Sequence, residues 1–215
     1  PLNPDIELST YLAGIASPTI RDQVQKAAED YNSLFSFNIA NFKVASPQNK
    51  KAKVWGLSNF NASYSYQNNY RRSQQIEEYF IKTTQLSLGY NYAFNTKFFQ
   101  PFKKIKYNSL ALIRDFKFNF IPSVFSSQMQ LNRVYSENQA RNNNSFKQVN
   151  PRLFDKNFTL NRSYMTTLPL APSLTINYTA QVQARIQEPF GRIDNQEKRD
   201  SILEEFKGFG RISRF

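Results

Sequence analysis

The sequence predicts an all-β fold, an antiparallel sheet of about six long strands with short helices in its loops, on three observations. Apolar and polar residues alternate with a period of two over stretches longer than a usual globular strand. The composition is aromatic, with 20 Phe and 12 Tyr against 6 Gly, as long strands favour. The polar positions of the alternating stretches are mostly Asn, Ser, Thr and Gln, not the Lys and Glu that coat a soluble sheet.

The elements follow in order. Ser17 as N-cap and Pro18 at the first helical position, with Ile20, Val24, Ala27 and Ala28 at helical spacing, predict a short helix ending near Asp30. The period then changes to two at Phe35, Phe37 and Ile39. Phe60, Ala62, Tyr64, Tyr66 and Tyr70 share one face of the next strand, and Leu86, Leu88, Tyr90, Tyr92 and Phe94 one face of its hairpin partner. Pro101, the cluster Lys103, Lys104 and Lys106, and a helical turn at Leu110–Ile113 mark a connector. Alternation resumes at Phe116, Phe118 and Phe120, and changes phase past Pro122 to Phe125, Met129 and Leu131, as at a bulge or bend. Glu137 to Pro151 reads as the longest polar loop, followed by a strand bearing Phe158, Leu160, Tyr164 and Leu168. Pro169–Ser173 is a tight turn, and from Leu174 to Ile186 the alternation is unbroken. Ser201 and Glu204 in capping-box spacing, with Ile202, Leu203 and Phe206, predict a short helix ending at Gly208.

Composition excludes several chemistries. With no Cys and no His there are no disulfides, no thiolate or imidazole metal site, and no nucleophile–imidazole triad. The adjacent carboxylates Glu77/Glu78 and Glu204/Glu205 diverge on a strand or a helix, so they make poor catalytic pairs. Gly208-Phe209-Gly210 follows a helix where a phosphate loop precedes one. The Asn61, Asn157, Asn161 and Asn177 sequon-like triplets are by-products of alternating Asn, Ser and Thr. The chain is therefore expected not to be an enzyme, with no catalytic, metal or cofactor-binding residue and no cofactor. No stretch approaches the ~20 apolar residues of a membrane-spanning helix. A mean hydropathy of −0.60 is nevertheless compatible with strands that alternate across a bilayer.

The pattern accordingly predicts a segment of a transmembrane β-barrel, part of a much larger barrel. Asn59, Asn61, Ser63, Ser65, Gln85, Ser87, Asn91, Thr175, Asn177, Thr179, Gln181, Gln183 and Arg185 are expected to face the lumen. Phe60, Tyr64, Tyr66, Leu86, Leu88, Tyr90, Tyr92, Leu174, Ile176, Tyr178 and Val182 are expected to face lipid. Short periplasmic turns and longer outer loops would put Pro169–Ser173 and the basic connector in the periplasm, and the Asn-rich loop and the segment after Ile186 outside. The chain, beginning at Pro1 without a signal sequence, reads as a fragment. Residues 1–30 form an N-terminal loop with a short helix, 31–95 strands one to three, and 96–115 the connector; 116–187 hold strands four to six, and 188–215 a loop with a short helix leading to the next strand.

The net charge of +12 favours anionic partners. Lys50, Lys51, Lys53, Arg71 and Arg72, with Tyr66 and Tyr70 nearby, are compatible with a single-stranded nucleic-acid platform, but read better as loop ends or contacts to lipid head groups, so no nucleic-acid partner is expected. A soluble antiparallel sheet acting as a binding module and a porin-like channel for small solutes remain alternatives.

Several stretches resemble the SprA/Sov family, the outer-membrane translocon of the type IX secretion system of Bacteroidetes, linked in some members to gliding motility. The resemblance rests on Leu57-Ser58-Asn59-Phe60 with Tyr64-Ser65-Tyr66, on Gln100-Pro101-Phe102-Lys103-Lys104, and on Arg114-Asp115-Phe116-Lys117-Phe118-Asn119 leading to Ile121-Pro122-Ser123. It continues through Leu131-Asn132-Arg133, Tyr135-Ser136-Glu137, Phe158-Thr159-Leu160-Asn161-Arg162, Ala184-Arg185-Ile186-Gln187-Glu188-Pro189 and Gly191-Arg192-Ile193-Asp194. Gln187 stands where the family pattern has an acidic residue, and Leu203 where it has Trp. The resemblance implies a protein-conducting barrel in the bacterial outer membrane that passes folded secreted proteins. Its implied partners are the rest of the same barrel, a smaller outer-membrane barrel, a periplasmic plug protein, secreted cargo and the lipid bilayer.

Overall fold

The computed structural model describes residues 6–45, 53–104, 107, 111–142 and 149–212. Lys50, Lys51, Lys106, Leu110 and the centre of the Asn-rich loop, residues 143–148, lie outside them.

The fold is all-β and antiparallel. Two helices, α1 (Leu8–Ala13) and α2 (Pro18–Ala28), precede β1 (Tyr31–Lys43), β2 (Phe60–Arg72) and β3 (Ile76–Ala93). A helical turn, α3 (Ala111–Arg114), leads to β4 (Val124–Ala140), β5 (Leu153–Ala171) and β6 (Leu174–Arg185), then α4 (Gln196–Lys207) and the two-residue β7 (Arg211–Ile212). The strands lie in chain order, β1-β2-β3-β4-β5-β6-β7, each bonded to its sequence neighbours, and the sheet does not close on itself.

Little of the sheet is covered. The chain exposes 16380 Å², whereas a compact protein of 25.1 kDa would expose roughly 10,000 Å², so the sheet is essentially a single layer without a continuous core. The exception is one corner, where Phe158, Leu160, Ala184 and Ile186 are buried beneath Ile202 and Phe206 of α4, with Met129 and Leu131 packed alongside.

Local chemistry explains the irregularities. The β1–β2 register shifts between Ile39 and Phe42, where Asn41 takes a left-handed φ of 51° that an Asn tolerates and its amide donates to Ser63 Oγ at 3.0 Å. The Phe116–Phe120 alternation is not a ladder strand: Phe118 makes a single bridge to Phe99, and the ladder starts only past Pro122, at Val124. Phe118 instead meets Phe99, with centroids 5.4 Å apart, and Phe116 and Phe120 pack against Phe118. The expected Pro169–Ser173 turn shortens to Pro172–Ser173 because β5 runs on to Ala171, and buried Asn119 fastens to this strand end, its amide donating to Leu170 O at 2.9 Å and its Nδ2 to Pro169 O at 3.2 Å.

Two further expectations need correction. β4 continues through Glu137, Asn138, Gln139 and Ala140, which the polar composition assigned to a loop. Helix α4 begins at Gln196, capped by Asn195 accepting from the Lys198 amide, so Ser201 and Glu204 lie inside the helix and form no capping box. Its end before Gly208 is as expected.

Candidate functional site

The pairing register sorts the sheet into two chemically distinct faces. On one, Ser63, Ser87, Gln130, Asn161 and Gln183 form a row across five strands, and Ser65, Gln85, Asn132, Thr159 and Arg185 form the next. Asn61, Asn91, Thr175, Asn177, Thr179 and Gln181 share this face by alternation, and Asn91 Oδ1 accepts from Ser126 Oγ at 2.6 Å. Apolar exceptions such as Met165 and Leu153 interrupt it. Gly89 lies opposite Asn61, and a Cβ there would come within 2.2 Å of Asn61 Oδ1.

The opposite face carries the row Tyr64, Leu86, Leu131, Leu160 and Ala184, and beside it Ala62, Leu88, Met129, Arg162 and Val182. Phe60 and Tyr90 meet with centroids 4.9 Å apart, and Tyr66, Tyr92, Leu174, Ile176 and Tyr178 fall on this face too. Asn59 does not belong to either face. It is buried in the turn before β2, where its Nδ2 donates to Lys53 O at 2.8 Å and Val54 O at 2.9 Å.

On the two outer strands the exposed apolar positions of this face sit at different levels: on β1 they centre on Phe37 and Ile39, level with Phe158 and Leu160 of β5, and on β6 they centre on Ile176, level with Leu168.

At the end of the sheet where β4 stops and β5 begins, the apolar face gives way to a charged clamp. Glu137, 1% exposed, accepts from Tyr135 Oη at 2.6 Å and Arg152 Nη1 at 2.7 Å, while Arg192 Nε reaches both its oxygens at 3.0 Å. Arg152 also donates to Glu78 at 2.6 Å and Gln139 at 2.7 Å. Hydrogen bonds to Glu137 hold the Arg152 and Arg192 guanidiniums above the usual arginine range, so both stay charged. Lys156 Nζ donates to the carbonyls of Pro189 and Gly191, and Arg133 pairs with Glu188, so the chain from Glu188 to Arg192 is strapped onto the sheet. The clamp draws on partners 15 and 55 residues apart in sequence, which no local pattern signals.

Loop length does not separate the two ends of the sheet. The tight Ser73–Gln75 turn lies at the clamp end and the tight Pro172–Ser173 turn at the other, so the expected division into short-turn and long-loop ends is not seen. No group of His, Cys, Asp or Glu among the described residues has the arrangement of a metal site. The chain matches no protein-family model and no curated protein sequence.

Proposed function

We propose that this chain is a wall segment of a large outer-membrane β-barrel, a protein-conducting channel of the type IX secretion kind, completed by further strands. The observation that carries the reading is the single-layer sheet with one largely aromatic and aliphatic face and one face on which uncharged polar residues predominate. A soluble sheet covers its apolar face with a second layer, whereas lipid does so for a barrel.

Strand length supports the same reading. β3, β4 and β5 hold 18, 17 and 19 residues, beyond the ~9–11 that cross a bilayer at a tilt, so their clamp ends stand outside it. The free edge of β1, and that of β6 beyond its short pairing with β7, carry backbone groups that cost several kcal/mol each in lipid, which is why the wall continues on both sides. In this mechanism the polar face lines a hydrated passage, the aromatic face contacts lipid, and the loops dock partners and secreted cargo.

Purification of the full-length protein from outer membranes in detergent, with mass spectrometry of what accompanies it, tests the proposal. A large complex containing secreted proteins and a second barrel is the expected result. Recovery in the soluble fraction would return the soluble binding sheet to first place, and small-solute conductance without cargo would favour a porin-like channel.

A further inference from the structure

Between α4 and the apolar face lies a cleft of about 480 Å³ whose chemistry is unlike either face. Lys82, Arg133 and Arg199 are the charged residues of its lining, all cationic, and its walls are otherwise largely apolar, with Tyr66 and Phe158 from the sheet and Leu203 from the helix. Arg133 is engaged with Glu188, behind the lining. Neither Lys82 nor Arg199 makes an ion pair among the described residues; Lys82 only overlies the Phe80 ring, 4.9 Å from its centroid. Two unpaired cations therefore face one partly apolar hollow of a size that suits a small ligand.

An apolar surface adjoins the cleft. Tyr66 of its lining meets Phe35 of β1 with ring centroids 6.2 Å apart, which sets the exposed stripe of Phe35, Phe37 and Ile39 beside it. A ligand that satisfies both parts has an anionic head for Lys82 and Arg199 and a hydrocarbon tail for the stripe. We infer that this cleft binds the phosphate head group of an anionic lipid, with an acyl chain laid along the β1–β2 aromatic stripe. A guanidinium and an ammonium converging on a phosphate make strong charge-assisted hydrogen bonds, and basic pockets beside apolar surface bind lipid head groups in this way. The inference rests on the membrane reading above for the source of its ligand.

The test uses full-length protein in neutral detergent, titrated with dihexanoyl phosphatidylglycerol, dihexanoyl phosphatidylcholine or inorganic phosphate, and bound adducts are counted by native mass spectrometry. Phosphatidylglycerol is expected to add one lipid that phosphatidylcholine does not. The K82Q/R199Q variant is expected to hold that lipid about tenfold or more weakly, as loss of two charge-assisted contacts requires. Both side chains are exposed and make no ion pair, and amide exchange in α4 equal to that of the parent protein verifies that the variant is folded. Equal retention by the variant overturns the inference, and so does inorganic phosphate binding as tightly as the lipid, which would make this a free-anion site. Because lipid is added to purified protein, a negative result leaves the outer-membrane assignment standing, whereas recovery from the soluble fraction strikes that assignment alone.

Discussion

Arg192, in the segment after β6, lies against Glu137 of β4, its Nε 3.0 Å from both carboxylate oxygens and its Nη2 2.8 Å from Oε2. Glu137 is 1% exposed while the Arg192 side chain is 46% exposed, so the carboxylate depends on the guanidinium more than the reverse. Replacing Arg192 by Ala leaves Arg152 as partner and should cost little. Replacing both arginines leaves a buried charge without a cation and should cost about 3–5 kcal/mol. Denaturant unfolding of the single and double variants would read the difference; equal stability of the two would show that the buried carboxylate does not need a cation.

Leu160 is fully buried between the sheet and α4, with Ile202 and Phe206 packed on its cluster. Leu160→Ala should destabilise this corner by about 2–5 kcal/mol and speed proteolysis within α4. Leu88→Ala, on the same face but exposed, should leave α4 protection unchanged.

The two faces predict opposite responses to charge. Tyr178→Arg puts a cation on the proposed lipid face and should lower the yield of assembled full-length protein in outer membranes, with a penalty of up to about 2–4 kcal/mol that depends on depth. Gln183→Arg on the opposite face should assemble normally. The reverse ranking would mean that the aromatic face lines the passage.

The absence of Cys from this chain allows a direct reading of water access. Single cysteines at Ser87 and Gln181, in full-length protein carrying no other cysteine and inserted as the proposed barrel, should react with a membrane-impermeant maleimide, and those at Leu88 and Ile176 should not. Equal labelling of all four would refute a lipid-covered face.

The sheet was legible in the sequence where one face is uniform. From Leu174 to Ile186 apolar residues alternate without exception, and the structure builds β6 from Leu174 to Arg185. The faces of β2 and β3 were legible for the same reason. Asn59 fits the alternation by parity alone, but its amide is consumed by the Lys53 and Val54 carbonyls, so it belongs to the turn. Phe116–Phe120 alternates because its rings stack on one another and on Phe99, not because it joins the ladder. Glu137 and Gln139 read as loop residues because their partners are distant in sequence, Arg152 at the far side of the β4–β5 loop and Arg192 beyond β6. Helix α4 begins in the polar run Gln196-Glu197-Lys198-Arg199, which has no apolar stripe to announce it, and it is capped by Asn195 instead of Ser201.

Since every strand bonds only to its neighbours in sequence, the sheet can grow hairpin by hairpin, the tight Ser73–Gln75 and Pro172–Ser173 turns closing β2–β3 and β5–β6 before the longer connection from β3 to β4 does. The unsatisfied rim of each finished hairpin is the template on which the following strand sets its register. Growth of this kind has no stopping point built into the sheet, so in the proposed barrel the number of strands would be set by where the two open edges meet.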